Sequence, residues 1–240
     1  VAAEGMVLLK NEAALPLTTS SSSKKKVALV TSSIAETESK NGGGFYGGSC
    51  AAVKDLIIEG GGSAQVVWNK EYAVTLEEGL KNANYDVVYN KVDSAVEASA
   101  AQEAAKAAQA AEVGIFVISR MSGEGSDNSV ELFDLSNTEK TVFNAYADAF
   151  KAAGKKFIVL INAGASLNTV DFTKKADAIL DIWLPGTEGG NAIADILSGK
   201  VNPSGKLTQT FPKAYNDTPS VAMATEAHKG STWATNPVYY

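Results

Sequence analysis

The stretch EVGIFVISRMSGEGSD, residues 112–127, decides the fold because it changes from an apolar run to a polar glycine turn within a few residues. A continuous apolar run of this length is typical of a strand that is covered on both faces. The preceding residues 94–111, SAVEASAAQEAAKAAQAA, are rich in alanine, the strongest helix former. A helix that leads directly into an apolar strand predicts an α/β fold with a mostly parallel sheet.

Four further segments repeat this alternation of strand and helix. They are KKVALVT (25–31), YDVVYN (85–90), KKFIVLINAG (155–164) and ADAILDIWLPG (176–186). One intervening helix has a capping box, Ser136-x-x-Glu139, at its start and Gly154 as a suitable C-terminal cap. We therefore expect a mostly parallel sheet sandwiched between helices over residues 1–212. A loop-rich tail, 213–240, would lead to a further domain.

The composition excludes several classes of protein. Of the 240 residues, 45% are hydrophobic and 20% are charged, and the net charge of −6 argues against a nucleic-acid partner, which usually meets a basic surface. The single cysteine, Cys50, and the single histidine, His228, cannot build a disulfide framework or a Cys/His zinc cluster. No apolar run approaches the roughly 20 residues that span a bilayer. We expect no cofactor, no metal and no membrane partner; the compartment stays open, with the cytoplasm slightly favoured.

The turn Gly123-Glu124-Gly125 follows the apolar strand 113–119, at the sheet edge where ligands bind in α/β proteins. Because glycines have no Cβ, a ligand can approach Glu124 closely, and apolar surroundings would raise its pKa as a general acid requires. Taken alone, the residues favour a solvated loop glutamate over a catalytic one. Glycoside hydrolysis, for example, needs two carboxyl groups, and Asp127 is equally consistent with a structural turn.

Other candidate features are weaker. The run NGGGFYGG (41–48) has the spacing of a dinucleotide-binding loop but does not directly follow a strand, so a surface loop is the better interpretation. A nucleotide-binding domain stays open only through this motif. Trp183 is either a core residue or a platform for a sugar ring, with the core favoured. His228 lies in the tail, where exposure to solvent is expected.

Several stretches that occur in order along most of the chain carry a family resemblance. They are AAEGMVLLKNEAALPL (2–17), GGGSAQV (60–66), VTLEEGLKNANYDVV (74–88), ISRMSGEGSD (118–127), INAGAS (161–166) and ADAILDIWLPGTEGGNAIADILSGKVNPSGKLTQTFPKAY (176–215). Together they resemble the α/β sandwich domain, often called the C-terminal domain, of glycoside hydrolase family 3.

This resemblance implies a β-glucosidase-like retaining glycosidase that hydrolyses terminal β-D-glycosides, with a small β-glycoside or oligosaccharide as substrate. In that family a (β/α)8 barrel domain holds an aspartate nucleophile. Many members take the general acid/base glutamate from the loop that matches SRMSGEGSD, which makes it Glu124 in this chain. The barrel is the implied partner and no residue of these 240 is assigned as nucleophile, so the fragment alone is expected to be inactive.

The resemblance also implies substrate contacts by Arg120 and Asp127. Arg120 has two alternatives: it could hold the loop in place, or form a surface ion pair with Asp127. Family members commonly continue EG-x-D-R, whereas Asn128 follows Asp127 here. A second hypothesis treats the domain as a non-catalytic module that only shapes the barrel's pocket, with Glu124 a spectator. We expect the chain, which starts at Val1, to be cut from a longer enzyme.

Overall fold

The computed structural model describes residues 1–19, 23–33, 51–61, 70–121 and 130–218. In chain order, the strands of this part are β1 (Val7–Asn11), β2 (Lys25–Thr31), β3 (Ala51–Val53), β4 (Leu56–Glu59), β5 (Tyr85–Val92), β6 (Val113–Arg120), β7 (Lys156–Ala163) and β8 (Ala178–Asp181). The helices are α1 (Ala2–Gly5), α2 (Leu76–Asn82), α3 (Asp93–Val96), α4 (Ala100–Ala110), α5 (Asn137–Ala152), α6 (Val170–Thr173) and α7 (Gly189–Leu197). Short 3-10 turns occupy Lys70–Tyr72, Glu97–Ser99, Val130–Phe133 and Tyr215–Asp217.

Within the described ranges, six strands form one sheet in the order β1-β8-β7-β6-β2-β5. Its neighbouring pairs from β8 to β5 are parallel, and β1 is antiparallel to β8 at one edge. Strands β3 and β4 pair with each other as a separate antiparallel hairpin. This topology confirms the predicted α/β fold with a mostly parallel sheet sandwiched between helices.

The central strand β6 shows why the sheet is covered on both faces. Its side chains alternate between two buried clusters, with Val113, Ile115 and Val117 in one and Phe116 and Ile118 in the other. The first cluster lies under α2, α7 and the β3–β4 hairpin, and the second lies under α4 and α5. A strand with both faces buried reads as a continuous apolar run.

Helices α2 and α7 approach each other through two glycines. A Cβ atom on Gly79 would overlap the carbonyl oxygen of Gly190, and a Cβ on Gly190 would overlap the carbonyl oxygen of Thr75. The backbone N–H of Gly190 donates to the carbonyl oxygen of Val74 at 3.2 Å. This contact requires residues without a side chain, which explains both glycines.

Three elements differ from the expectation. The alanine-rich helix is interrupted by the 3-10 turn at Glu97–Ser99 before α4. Strand β5 lies at an edge of the sheet and alternates between buried and exposed side chains instead of being buried throughout. Strand β8 ends at Asp181, and Trp183, two residues later, has a positive φ of 50°.

Candidate functional site

The candidate site lies at the carboxyl edge of the sheet, where β2, β6, β7 and β8 end side by side. Arg120 at the end of β6 is in register with Ala163 of β7, and Ile161 of β7 is in register with Asp181 of β8. The loops that follow these strands therefore leave from one edge, as a ligand site in an open α/β sheet requires.

Several of the predicted residues lie outside the described part of the chain. They are Glu124 and Asp127 in the segment 122–129, the glycine run 41–48, and His228. The site is therefore defined by the chain on either side of 122–129 and by the ends of the neighbouring strands.

Arg120 forms a buried, bidentate ion pair with Glu139, which lies in the first turn of α5. Its Nη1 donates to Oε1 of Glu139 at 2.6 Å and its Nη2 donates to Oε2 at 2.9 Å. Both side chains are more than nine-tenths buried. Two parallel charge-assisted bonds fix the position of both groups more strictly than a single contact would.

The remaining guanidinium donors hold the backbone on both sides of 122–129. Arg120 Nε donates to the carbonyl oxygen of Leu132 at 2.7 Å, and Nη2 donates to that of Asp134 at 2.9 Å. Nη1 also donates to the carbonyl oxygen of Ser119 at 2.9 Å. All five N–H groups thus have acceptors, which supports the interpretation that Arg120 holds the loop; direct contact with substrate stays a prediction.

Glu139 accepts two further hydrogen bonds. One comes from the backbone N–H of Ser136 at 2.8 Å and completes the predicted capping box of α5. The other comes from the hydroxyl of Ser32, which follows β2, at 2.6 Å. Burial by itself would raise the pKa of Glu139, but the hydrogen bonds and charge of Arg120 and the Ser32 bond lower it below its ordinary value. The carboxylate is therefore ionised at neutral pH.

The chain that leaves β2 toward residues 34–50 is held at the same place. Ser32 donates its backbone N–H to the carbonyl oxygen of Val117 in β6 at 2.8 Å. The backbone N–H and hydroxyl of Ser33 both donate to Oδ1 of Asp93, at 2.8 and 2.5 Å. The exits from β2 and β6 therefore meet at the Glu139 carboxylate.

Asn162 connects β7 to the β3–β4 hairpin. Its Oδ1 accepts from the backbone N–H of Ile57 at 2.7 Å, and its Nδ2 donates to the carbonyl oxygen of Ile57 at 2.9 Å. Nδ2 also donates to the carbonyl oxygen of Trp183 at 2.7 Å. One buried amide thereby holds the hairpin and the turn after β8 against the sheet edge.

Asp181 is a buried carboxyl group at the end of β8. Its Oδ1 accepts from the backbone N–H of Trp183 at 3.1 Å, and in the described chain its Oδ2 has no hydrogen-bond partner. Burial raises the pKa of Asp181 to about 7. The indole N–H of the partly buried Trp183 donates to the carbonyl oxygen of Gly5 at 3.0 Å, which favours a packing role over a sugar platform.

In the described part of the chain, no three His, Cys, Asp or Glu side chains come together in an arrangement that could hold a metal ion. The helices of the same residues are too short or too polar to cross a bilayer.

Sequence reasoning assigned Glu139 only to a helix cap and assigned no role to Asn162 or Asp181. The available signal was a polar residue within or at the end of an otherwise apolar strand, as in KKFIVLIN and ADAILD. Such a residue needs a partner when buried, but the pattern does not say which one.

The chain matches the family model described as Glycosyl hydrolase family 3 C-terminal domain over residues 6–240. A periplasmic beta-glucosidase of Salmonella typhimurium is 34% identical over 163 residues, which cover 66% of this chain and 20% of the relative. An exo-alpha-(1->6)-L-arabinopyranosidase of Bifidobacterium breve is 32% identical over 169 residues, which cover 68% of this chain and 21% of the relative.

The fold is also similar to a solved structure. Beta-glucosidase 3B of Thermotoga neapolitana in complex with glucose superposes with a TM-score of 0.73 at 31% identity, and the match covers 92% of this chain and 31% of that protein. This chain therefore spans about a fifth to a third of the length of these relatives. Since the family model covers nearly all of it, the chain belongs to the family of glycosyl hydrolase family 3 C-terminal domains.

Proposed function

We propose that this chain is the sandwich domain of a larger retaining β-glycosidase of the β-glucosidase type. Its family membership and its beta-glucosidase relatives support this proposal. The small share of those relatives that it covers supports the presence of another domain in the working enzyme. We propose that this partner is a (β/α)8 barrel that carries the aspartate nucleophile, so that the chain alone does not hydrolyse glycosides.

We assign the general acid/base role to Glu124. The observation that carries this assignment is that the chain on both sides of 122–129 is fixed by Arg120 at the carboxyl edge of the sheet. Arg120 therefore holds Ser119, Leu132 and Asp134 at the edge of the sheet where a neighbouring domain can pack. An acid supplied from this edge has to come within hydrogen-bond distance of the glycosidic oxygen to transfer its proton.

The proposed reaction has two steps. First, protonated Glu124 gives its proton to the glycosidic oxygen while the barrel aspartate attacks the anomeric carbon, so the bond to the leaving group breaks and a glycosyl-enzyme forms. Second, ionised Glu124 removes a proton from water, which attacks the anomeric carbon and releases the aspartate. The negative aspartate favours the protonated form of Glu124 in the free enzyme, and its glycosylation removes that charge.

The named relatives support a proposal for the class of substrate. One is a beta-glucosidase solved with glucose and another is an exo-alpha-(1->6)-L-arabinopyranosidase. The anomeric carbon of an α-L-arabinopyranoside has the same spatial arrangement as that of a β-D-galactoside, and therefore as that of a β-D-glucoside. One placement of acid and nucleophile thus serves an arabinopyranoside and a glucoside. We propose a terminal β-D-glucoside as substrate and an α-L-arabinopyranoside as the alternative.

The competing interpretation is a domain that packs on the barrel without contributing to the chemistry. Exposed apolar side chains near the edge, at Val130, Leu132 and Val170, offer a surface for packing. Because such a surface suits either interpretation, the two differ only in what Glu124 does.

The test is Glu124→Gln in the full-length glycosidase that carries this chain, with Glu12→Gln as control. Glu12 is an exposed carboxylate next to β1 at the opposite end of β8. Two aryl β-glucosides are compared, one with a poor phenol leaving group and one with dinitrophenol, which leaves without a proton. We expect the first glycosylation step to slow by about 100-fold or more for the poor leaving group and to persist for dinitrophenol. Azide, which needs no base, should restore turnover of the glycosyl-enzyme.

Equal rates for Glu124→Gln and wild type on both substrates would mean that Glu124 is a spectator and that the domain only packs. Aryl α-L-arabinopyranosides with the same two leaving groups are measured as well, to decide which sugar the enzyme prefers. A larger kcat/KM for the arabinopyranoside would replace the glucoside in this proposal.

A further inference from the structure

Asp181, the last residue of β8, is a fully buried carboxyl group with one oxygen unsatisfied. Its Oδ1 accepts from the backbone N–H of Trp183 at 3.1 Å, and within the described residues its Oδ2 has no hydrogen-bond partner. A buried charge without partners is strongly unfavourable, whereas a protonated carboxyl group carries no charge. Ionisation of Asp181 therefore favours any arrangement of the chain that lets water reach the carboxylate.

The face of the sheet on which Asp181 lies is apolar. Side chains of a strand alternate between two faces, so Asp181 lies on the same face as Ile179, which belongs to the cluster under α4 and α5. Its register partners on this face are Val7 of β1 and Ile161 of β7. The neighbouring strands therefore offer the carboxylate no polar contact.

Charged side chains on the surrounding elements are paired elsewhere or exposed. Burial raises the pKa of Asp181, and the hydrogen bond from the Trp183 N–H is the contact that opposes this effect. The ion pairs of the surrounding elements are Val1–Glu4, Lys10–Glu12, Arg120–Glu139, Lys140–Asp171, Asp148–Lys175 and Lys156–Asp177. Lys174 and Lys206 are exposed. No charge among them offsets the burial of Asp181.

Strand β1 is the neighbour of β8 that can separate with the least disruption. It lies at the edge of the sheet, whereas β7 lies between β8 and β6. A register shift between Leu8 and Lys10 interrupts its pairing with β8. On the near side of this bulge Val7 is paired with Asp181, and Leu8 is paired with Leu180. The pairs next to Asp181 can therefore open without those beyond the bulge.

The chain beyond the bulge is anchored by other contacts. Lys10 Nζ donates to the carbonyl oxygens of Thr173 at 2.8 Å and Ala176 at 2.7 Å. The backbone N–H of Glu12 donates to the carbonyl oxygen of Asp177 at 2.7 Å. This part of the chain therefore stays in place when the near side opens.

We call the near side, residues 2–8, the edge flap. The indole N–H of Trp183 donates to the carbonyl oxygen of Gly5 at 3.0 Å, and the backbone N–H of Gly205 donates to that of Met6 at 3.1 Å. The side chain of Met6 is fully buried. Because opening exposes this side chain to water, the closed form predominates and the open form is a minor state.

We propose that Asp181 makes the edge flap respond to pH: the protonated carboxyl group keeps the flap closed on β8, and the ionised group lets it open about the bulge at Leu9. Opening brings water to the carboxylate. It also releases the turn after β8, which lies at the same sheet edge as the candidate site. This inference is independent of the proposed role of Glu124.

The expected pH dependence follows from the two environments of the carboxyl group. In the closed form the pKa of Asp181 is about 7, and in the open form water restores the ordinary value of 3.8. Between these values the closed form keeps a proton that the open form releases, so a rise in pH favours opening. The ratio of open to closed chains should increase about 50-fold from pH 5 to pH 7, and by less than about twofold from pH 7.5 to pH 8.5.

The experiment is hydrogen exchange, followed by mass spectrometry of peptic peptides, on the full-length glycosidase that carries this chain. Peptides from the flap (2–8), from beyond the bulge (10–17) and from β7 (156–163) are compared between pH 5 and pH 8.5, without urea and at a low urea concentration. The protection factor, which is the intrinsic exchange rate divided by the observed rate, removes the ordinary effect of pH on exchange.

For the wild type we expect the protection factor of the flap to fall about 50-fold from pH 5 to pH 7. Low urea should leave it unchanged, because a local opening exposes little surface, whereas the β7 peptide should respond as in global unfolding. Asp181→Asn has no group that titrates in this position and should abolish the fall. Asp148→Asn removes an exposed carboxylate that pairs with Lys175 and should retain it.

Three outcomes overturn the proposal. If the flap shows the same urea dependence as β7, it opens only with the whole domain. If residues 10–17 exchange together with the flap at every pH, the bulge is not the hinge. If the flap is equally protected at pH 5 and pH 7, or if Asp181→Asn retains the fall, Asp181 does not control the opening. The wild-type comparisons decide these points even if Asp181→Asn does not fold.

Discussion

Asp181 and Trp183 share a single hydrogen bond that satisfies only half of a buried carboxyl group. The backbone N–H of Trp183 donates to Oδ1 at 3.1 Å, whereas in the described part of the chain Oδ2 has no partner. An ionised carboxylate in this place would lose its hydration without full compensation. Burial therefore raises the pKa of Asp181 to about 7 from an ordinary value of 3.8.

This pKa makes the stability of the domain depend on pH. Between about pH 4 and 7 the folded chain keeps a proton on Asp181 that the unfolded chain releases, so the free energy of unfolding falls as pH rises. A pKa difference of about 3 corresponds to ~4 kcal/mol over the full window. Asp181→Asn, which does not titrate, should lose this slope in urea denaturation at a series of pH values. Asp148→Asn, at an exposed site, should keep it. A wild-type slope in Asp181→Asn would show that other groups cause it.

The fold could be predicted because its strands carry the local signal that defines them. Segments such as KKVALVT and KKFIVLINAG are continuous apolar runs that become β2 and β7, buried on both faces. The N-terminal strand β1 was not predicted, since its role depends on pairing with β8 at the far end of the chain. The alternating exposure of β5 could not be predicted either, because it depends on the position of β5 at the edge of the whole sheet.

The candidate site could be predicted only in part, because its support is non-local. The motif around Glu124 and the capping box at Glu139 are local patterns. The bond between Ser32 and Glu139 joins residues separated by 107 positions, and that between Asn162 and Ile57 joins residues separated by 105. No local pattern indicates these partners, since they are brought together by strand order.

The glycine contact between α2 and α7 predicts a large steric effect. Alanine at Gly79 would gain about 1 kcal/mol of helix propensity, but its Cβ would overlap the backbone of Gly190. Because backbone atoms cannot move aside as a flexible side chain can, Gly79→Ala should destabilise the chain by about 3 kcal/mol, at the upper end for overpacking. Urea denaturation measures this directly. Gly5→Ala is the control, because a Cβ there meets no atom within 4 Å. Equal stability of the two variants would contradict the close approach of the helices.

The lowered pKa of Glu139 predicts that stability depends on pH with a sign opposite to that for Asp181. Since the pKa of Glu139 is lowered on folding, its contribution to stability is fully present above the ordinary glutamate pKa of about 4.3 and is lost as pH falls below it. Acid unfolding of the wild-type chain should therefore steepen below about pH 4.3, and Glu139→Gln should remove that part of the slope. The exposed Glu12→Gln variant should leave it in place. Parallel acid-unfolding curves for wild type and Glu139→Gln would refute the ionised, buried pair.

The hydrogen bonds of the Asn162 amide predict that Asn162→Asp strongly destabilises the fold, although it replaces only one heavy atom. In Asn162→Asp a carboxylate oxygen replaces Nδ2 and faces the carbonyl oxygens of Ile57 and Trp183, so two hydrogen bonds become repulsive contacts. A buried charge without a partner costs about 3–5 kcal/mol, and we expect that loss at pH 7.

At lower pH the new carboxyl group can bind a proton and donate one hydrogen bond, so part of the stability should return near pH 5. The comparison is made by urea denaturation at both pH values. Asn144→Asp provides the matched control, because Nδ2 of Asn144 makes an exposed bond to the carbonyl oxygen of Lys140. That substitution should change the free energy of unfolding by no more than about 0.5 kcal/mol. If the two variants lose equal stability, the amide of Asn162 does not hold the hairpin and the turn after β8 in place.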